Sequence, residues 1–285
     1  MNRAKSVMLL TLLSLILMAI GGVVGGRSGA FTMFLISLAI NFFTFWNCDK
    51  IALRAYNAQP ISESEAPGLY EMVRELCRNA NLPMPKLYVI PTDVPNAFAT
   101  GRNPDHAAVA VTEGILSLLD HDELAGVISH ELSHIRHRDT LIMTLAASIA
   151  SAIGYIANIA QWAAIFGNTR NEDGEASNPI ALLVTIIVAP LAASLIQFAL
   201  SRSREFMADA SGAEISGHPL ALASALLKLE SYAERKVMPN AKPASSGLFI
   251  INPFSGVRGV ANLFSTHPST EERVQRLRQI AANMH

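Results

Sequence analysis

The residues with the clearest capacity for chemistry are His130, Glu131 and His134, which form the pattern H-E-x-x-H. In a helix the two histidines lie one turn apart on one face, so both imidazoles can bind a single zinc ion. Glu131 lies beside the first histidine, where a general base would take a proton from the attacking water. Because zinc polarises carbonyl groups and lowers the pKa of water, the pattern predicts metal-dependent hydrolysis with Glu131 as the catalytic residue.

A catalytic zinc site usually has a third protein ligand. The metzincin pattern requires a histidine at position 140, which is Thr140 here, so that class is excluded. Glu205 is the better candidate, since it would complete a His₂Glu site. One helical turn later, Asp209 could accept a hydrogen bond from the outer nitrogen of a ligand histidine. The sequence therefore predicts one zinc ion per chain, and it places His137 at the surface or behind the ligands.

The composition indicates membrane segments. Hydrophobic residues make up 51% of the 285 residues and charged residues only 16%, whereas about a quarter is usual in soluble domains. Four stretches contain no Asp, Glu, Lys or Arg, and each approaches or exceeds the roughly 17–20 residues that a helix needs to cross a bilayer. They are residues 7–24, 30–46, 141–166 and 180–200. We interpret them as four transmembrane helices, the first being a retained span rather than a cleavable signal peptide.

Basic residues near the ends of these stretches set the expected orientation. One side carries Arg3, Lys5, Lys50, Arg54, Arg136, Arg138, Arg202 and Arg204, and the other only Arg27 and Arg170. The basic side should be cytoplasmic, which predicts a multi-pass membrane protein with both termini and the active site inside. The predicted division is two membrane helices (1–47), a first protease segment (48–140), a membrane hairpin (141–200) and a second protease segment (201–285).

The predicted membrane arrangement supports Glu205 as the third ligand. Without it, Glu205 could be an ordinary charged residue beside an apolar stretch. If residues 141–166 and 180–200 pack as an antiparallel hairpin, their cytoplasmic ends bring His130, His134 and Glu205 to the same depth. The zinc ion would then lie just below the cytoplasmic membrane surface.

Local patterns outside the apolar stretches predict an α+β domain. Helical spacing covers residues 62–79, and strands are expected at 86–90, 96–101 and 107–112. Asp120 and Glu123 have capping-box spacing and predict a helix over 120–138, which carries the H-E-x-x-H pattern. A last helix is expected over 270–281. The predicted fold is therefore a mainly helical zinc-protease domain with a small β-sheet, attached to four transmembrane helices.

Other functions find little support. The net charge of −1 and the lack of a basic stretch argue against nucleic-acid binding. The two cysteines, Cys48 and Cys77, are too few for a disulfide framework or a cysteine zinc site.

Three segments together resemble the bacterial HtpX membrane metalloproteases, relatives of the CAAX prenyl endopeptidases. They are HELSHIRHRD at 130–139, SRSREFMAD at 201–209 and PNAFATGRNPDHAAVAVTEGIL at 95–116. The resemblance spans nearly the whole chain. It implies a gluzincin-type fold, zinc ligands His130, His134 and Glu205, and Glu131 as the general base. It also implies a role in envelope stress and in quality control of misfolded or unassembled membrane proteins, with the lipid bilayer and unfolded polypeptides as partners.

The same resemblance suggests two further positions. Residues 95–100 would form an edge strand that a substrate peptide extends by main-chain pairing, with Asn96 holding the peptide. His267 would stabilise a developing oxyanion. A turn-forming asparagine and a loop histidine before a helix cap are the simpler interpretations.

Two alternatives to this function remain open. A prenyl-CAAX-type endopeptidase would use the same chemistry on a lipidated substrate. A non-catalytic membrane scaffold would hold a structural zinc, although such sites have four protein ligands and no fourth is evident. A transporter is disfavoured, because charged residues inside spans usually mark transport paths and these stretches have none.

Overall fold

The computed structural model describes residues 2–146, 201–235, 250 and 268–284. Its strands and helices are α1 (Asn2–Ala55), β1 (Gln59–Pro60), α2 (Pro67–Ala80), β2 (Lys86–Ile90), β3 (Ala97–Gly101), β4 (Ala107–Thr112), α3 (Glu113–Leu118), α4 (His121–Arg136), α5 (Arg202–Ser216), α6 (Pro219–Arg235) and α7 (Thr270–Asn283). A further helical segment covers residues 139–146. Most of the third apolar stretch, all of the fourth and His267 lie outside the described residues.

The first two apolar stretches form an antiparallel helical pair within α1. The helix is interrupted at Gly25 and Gly26, and the positive φ of 59° at Gly26 is a conformation that glycine adopts without strain. Across the pair, the side-chain amide of Asn41 donates to the Leu10 carbonyl at 3.1 Å. Asn41 thus joins the two helices through a polar contact.

Within the described residues, one helix is long and apolar enough to cross a membrane. It covers Gly25–Ala55, and only 11% of its most apolar window is buried. A shorter apolar helix covers Ser6–Ala19. Large hydrophobic side chains of the pair, such as Phe31, Phe42 and Phe43, face outward. This surface fits a lipid environment better than water.

The small sheet is mixed, with the strand order β1-β2-β4-β3. Strands β2 and β4 are parallel, whereas β3 pairs antiparallel with β4 and lies at the end of the sheet. One face, with Ala99 and Val109, packs in the main core shared with α4. The other, with Phe98 and Ala110, packs against Leu53 near the end of α1. The sheet therefore lies between α4 and the end of the N-terminal helical pair.

The helix α4 is the centre of the domain. Asp120 and Glu123 form the predicted capping box at its start. Every residue from Glu123 to Ile135 is buried, which follows from packing against α5, α6 and α2. The predicted end at Arg138 is wrong, because α4 ends at Arg136 and Arg138 has a left-handed φ of 59°. The chain changes direction there before the 139–146 helix.

The predicted strands and the helix predicted over residues 62–79 hold with small changes. The predicted strands at 86–90, 96–101 and 107–112 are confirmed, apart from Asn96, which precedes β3. The helix predicted from residue 62 begins only at Pro67, because the amide of Ser62 instead bonds to the Glu65 side chain in a separate turn. The helix α6 was not predicted.

Candidate metal centre

Three predicted ligands converge between two helices. His130 and His134 lie one turn apart on α4, and Glu205 lies in the first turn of α5. The Nε2 atoms of the histidines are 3.2 Å apart. Each Nε2 is 3.7 Å from an oxygen of Glu205. All three side chains are buried, and among the described residues they form the one group of His, Cys, Asp and Glu side chains with metal-binding geometry.

These distances suit a zinc ion. Ligand bonds of about 2.0–2.1 Å in tetrahedral geometry place the ligand atoms about 3.3 Å apart. The observed separations of 3.2 and 3.7 Å lie close to that value. Two imidazole nitrogens and one carboxylate are also the donor set of catalytic zinc sites, which leave the fourth position open. The residues therefore fit zinc without rearrangement of the helices.

The outer nitrogen of His130 faces a buried ion pair. His130 Nδ1 is 2.9 Å from Asp209 Oδ1. Arg273 on α7 donates to the same carboxylate from Nε at 2.8 Å and from Nη2 at 2.6 Å. Burial alone would raise the pKa of Asp209, but Arg273 and His130 outweigh it and lower the pKa to about 2. Asp209 is therefore an anion that fixes the Nδ1–H tautomer of His130 and leaves Nε2 free for a metal.

His134 has a corresponding partner that the sequence did not reveal. Its Nδ1 is 3.4 Å from Asp139 Oδ2, and Arg204 Nη1 is 3.6 Å from Asp139 Oδ1. Burial alone would lower the pKa of His134, but Asp139, Glu205 and Glu131 raise it to about 9 in the metal-free protein. The surrounding carboxylates thus favour a positive charge at His134, and a bound cation would supply one.

Glu131 points toward the sheet rather than joining the three ligands. Its Oε2 accepts a hydrogen bond from the Ala99 amide of β3 at 2.9 Å. Burial raises the pKa of Glu131, although the neighbouring histidines oppose this effect. A carboxylate with a raised pKa beside a metal site can accept and return a proton.

Two further positions singled out from the sequence, Asn96 and His137, lie in the described part of the chain. Asn96 is buried, and its side-chain oxygen accepts a hydrogen bond from the Ile250 amide at 3.3 Å. His137 caps α4, and its Nδ1 lies 2.9 Å from the Ser133 carbonyl. Neither side chain belongs to the three-ligand group.

Asp139, Arg204 and Arg273 are the site residues that sequence reasoning missed. Arg273 did leave a signal: it shares the apolar face of α7 with Leu277 and Ile280, and a charge on such a face requires a buried partner. Asp139 left no such signal in the sequence. It follows His134 by five residues, and a continuous helix would place the two side chains on different faces. Only the break at Arg138 brings the two together.

Comparison with known proteins places this geometry in a family. Residues 63–281 match the family described as Peptidase family M48. A protein named Protease HtpX homolog from Pelotomaculum thermopropionicum is 53% identical over 99% of this chain and 100% of its own length. The proteins of that name from Pyrococcus furiosus and Campylobacter hominis are 52% and 49% identical, over 97% and 100% of this chain and 95% and 100% of their own lengths.

A solved structure agrees at the level of the fold. The crystal structure of S. mikatae Ste24p superimposes with a TM-score of 0.53 at 16% identity, over 97% of this chain and 65% of that one. The family match over residues 63–281 and the relatives of about 50% identity show that the chain belongs to peptidase family M48 and is a metalloprotease.

Proposed function

We propose that the chain is a zinc-dependent endopeptidase of the bacterial inner membrane that cleaves extended segments of misfolded or unassembled membrane proteins on the cytoplasmic side. The observation that carries the proposal is the convergence of His130, His134 and Glu205 on one buried point, with Glu131 between that point and the strand β3. Such an arrangement brings a group that could bind a metal, a base and an edge strand together in one place.

The residues would divide the chemistry as follows. His130, His134 and Glu205 hold the zinc ion, which when bound polarises the scissile carbonyl and lowers the pKa of the attacking water. Glu131 takes the proton from that water and delivers it to the leaving amine. Its buried position suits this task, because a raised pKa lets the carboxyl group hold the proton between the two transfers.

The membrane assignment combines sequence and structure. The helical pair of residues 1–47 and the apolar stretches within 141–200 would cross the bilayer, and residues 48–140 and 201–285 would form the cytoplasmic protease domain. The outward-facing apolar side chains of α1 support the first two spans. The excess of basic residues beside the stretches supports the orientation.

The place of β3 at the end of the sheet supports the proposed substrate class. A strand at the end of a sheet binds an extended peptide through main-chain hydrogen bonds, which require an unfolded segment but little sequence specificity. Such recognition suits quality control during envelope stress, where many different chains must be cleaved. Asn96 would support the bound peptide, and His267 would stabilise the oxyanion.

The test uses the full chain, purified in detergent, with zinc content and cleavage of unfolded casein as readouts. Glu131→Gln should retain one zinc ion and lose proteolysis by at least about a hundredfold, since the base is not a ligand. The exposed Glu214→Gln on α5 is the matched control and should behave as wild type. Wild-type protein without bound zinc, or a fully active Glu131→Gln variant, would refute the proposal.

A further inference from the structure

A second arginine–carboxylate pair lies where the chain leaves and re-enters the protease domain. Asp139 opens the helical segment 139–146, which leads into the third apolar stretch. Arg204 lies in the first turn of α5, after the fourth stretch and directly before Glu205. The proposed chemistry uses neither side chain, yet both are buried, with exposures of 1% and 9%.

The conformation of Arg138 and the contacts of two nearby threonines position Asp139. The left-handed conformation of Arg138 turns the chain at the end of α4. Just beyond it, Thr140 Oγ1 donates to the Gly101 carbonyl at 3.0 Å, and Thr144 Oγ1 is 3.0 Å from Thr100 Oγ1. These bonds fasten the helical segment to the end of β3, so Asp139 has little freedom to move away from His134.

Asp139 joins the two sides of this junction. Its Oδ2 is 3.4 Å from His134 Nδ1, and its Oδ1 is 3.6 Å from Arg204 Nη1. Neither Nη atom of Arg204 has a hydrogen-bond partner in the described part of the chain, which leaves Asp139 as its closest counter-ion there. A buried guanidinium is costly without an anion, so this pairing is more than an incidental surface contact.

We propose that Asp139 and Arg204 form a positioning clamp: they join the chain ends of the third and fourth apolar stretches and hold His134 in the orientation that binds the metal. The inference rests on the proposed zinc site. It implies that a displacement of Asp139 relative to Arg204 reaches two ligands at once, His134 through Asp139 and Glu205 through its neighbour Arg204.

The test measures metal binding rather than proteolysis. Asp139→Asn, Arg204→Gln and the double variant are purified as full chains, and their Zn²⁺ dissociation constants are measured by chelator competition. Each single change should weaken Zn²⁺ binding by about 10–100-fold, as for other carboxylates behind ligand histidines. The double variant should be no more than about threefold weaker than the worse single variant, because both act through one link. Arg204→Lys, which keeps the charge, should recover part of the loss.

Two controls separate this role from general stability. Arg202→Gln changes an exposed arginine in the same helical turn and should bind Zn²⁺ as wild type does. The visible absorption spectrum of the Co²⁺-loaded protein should change in Asp139→Asn but not in Arg202→Gln, because only Asp139 contacts a ligand histidine. Zn²⁺ dissociation constants within twofold of wild type, or fully multiplicative losses in the double variant, would overturn the clamp alone. Failure of the wild type to bind Zn²⁺ or Co²⁺ would overturn the proposed function as well.

Discussion

Replacement of Arg273 by glutamine probes how the last helix supports the metal centre. The guanidinium makes two hydrogen bonds to Asp209, at 2.8 and 2.6 Å, and one to the Ile250 carbonyl at 3.0 Å. Both partners of the ion pair are buried. Removing one member of such a pair costs roughly 3–5 kcal/mol of stability, because the other charge remains buried without compensation.

The loss should also reach the metal. The carboxylate of Asp209 lies 2.9 Å from His130 Nδ1, and without Arg273 it is free to reorient or to take up a proton. Loss of the group that orients a ligand histidine typically weakens metal binding 10–100-fold. We therefore expect Arg273→Gln to lower the thermal unfolding midpoint of the metal-free chain and to raise its Zn²⁺ dissociation constant by that factor.

The assay compares Arg273→Gln with Arg278→Gln by thermal unfolding, with and without Zn²⁺, and by chelator competition. Arg278 is on the same helix, but its side chain is exposed, so its replacement should have little effect. A dissociation constant for Arg273→Gln within twofold of this control would refute the reasoning. A lower midpoint with unchanged Zn²⁺ affinity would show that Arg273 stabilises the fold without positioning His130.

Three further outcomes are expected. Glu205→Gln removes the only anionic ligand and should lower zinc occupancy in metal analysis; full retention would indicate another third ligand. The site's carboxylates raise the pKa of His134 to about 9 in the metal-free chain, so Zn²⁺ must displace a proton from this side chain at lower pH. The Zn²⁺ affinity should therefore fall about tenfold per pH unit below pH 9, and Zn²⁺ titrations at several pH values should show one proton released per ion near pH 7. The metal-free fold gains stability from this raised pKa below about pH 6.5 and loses it as the pH rises through 9. A methyl group on Gly212 would lie 2.9 Å from the His130 amide nitrogen, so Gly212→Ala should push α5 away from α4. The free energy of unfolding should fall by about 1–3 kcal/mol, and Zn²⁺ binding should weaken. An unchanged midpoint of thermal unfolding would contradict this packing.

The sequence by itself determined the parts of the molecule that depend on local spacing. Two histidines four residues apart must share a helix face, and a capping box must start that helix at Asp120. Short, mainly apolar runs between turn residues likewise predicted β2, β3 and β4. Glu205 could be chosen as a ligand because its position after an apolar stretch mirrors that of His134 before another. These features need no knowledge of distant contacts.

Only the tertiary structure decided what lies behind the ligands. Arg273 reaches Asp209 from a helix that begins 61 residues after that carboxylate in the sequence, and no local pattern specifies such a pairing. Asp139 meets His134 only because the helix breaks at Arg138. Side-chain periodicity shows which residues share one face of a helix or strand. Buried charges, in contrast, are paired by the packing of several elements, and the residue spacing within one segment does not reveal that packing.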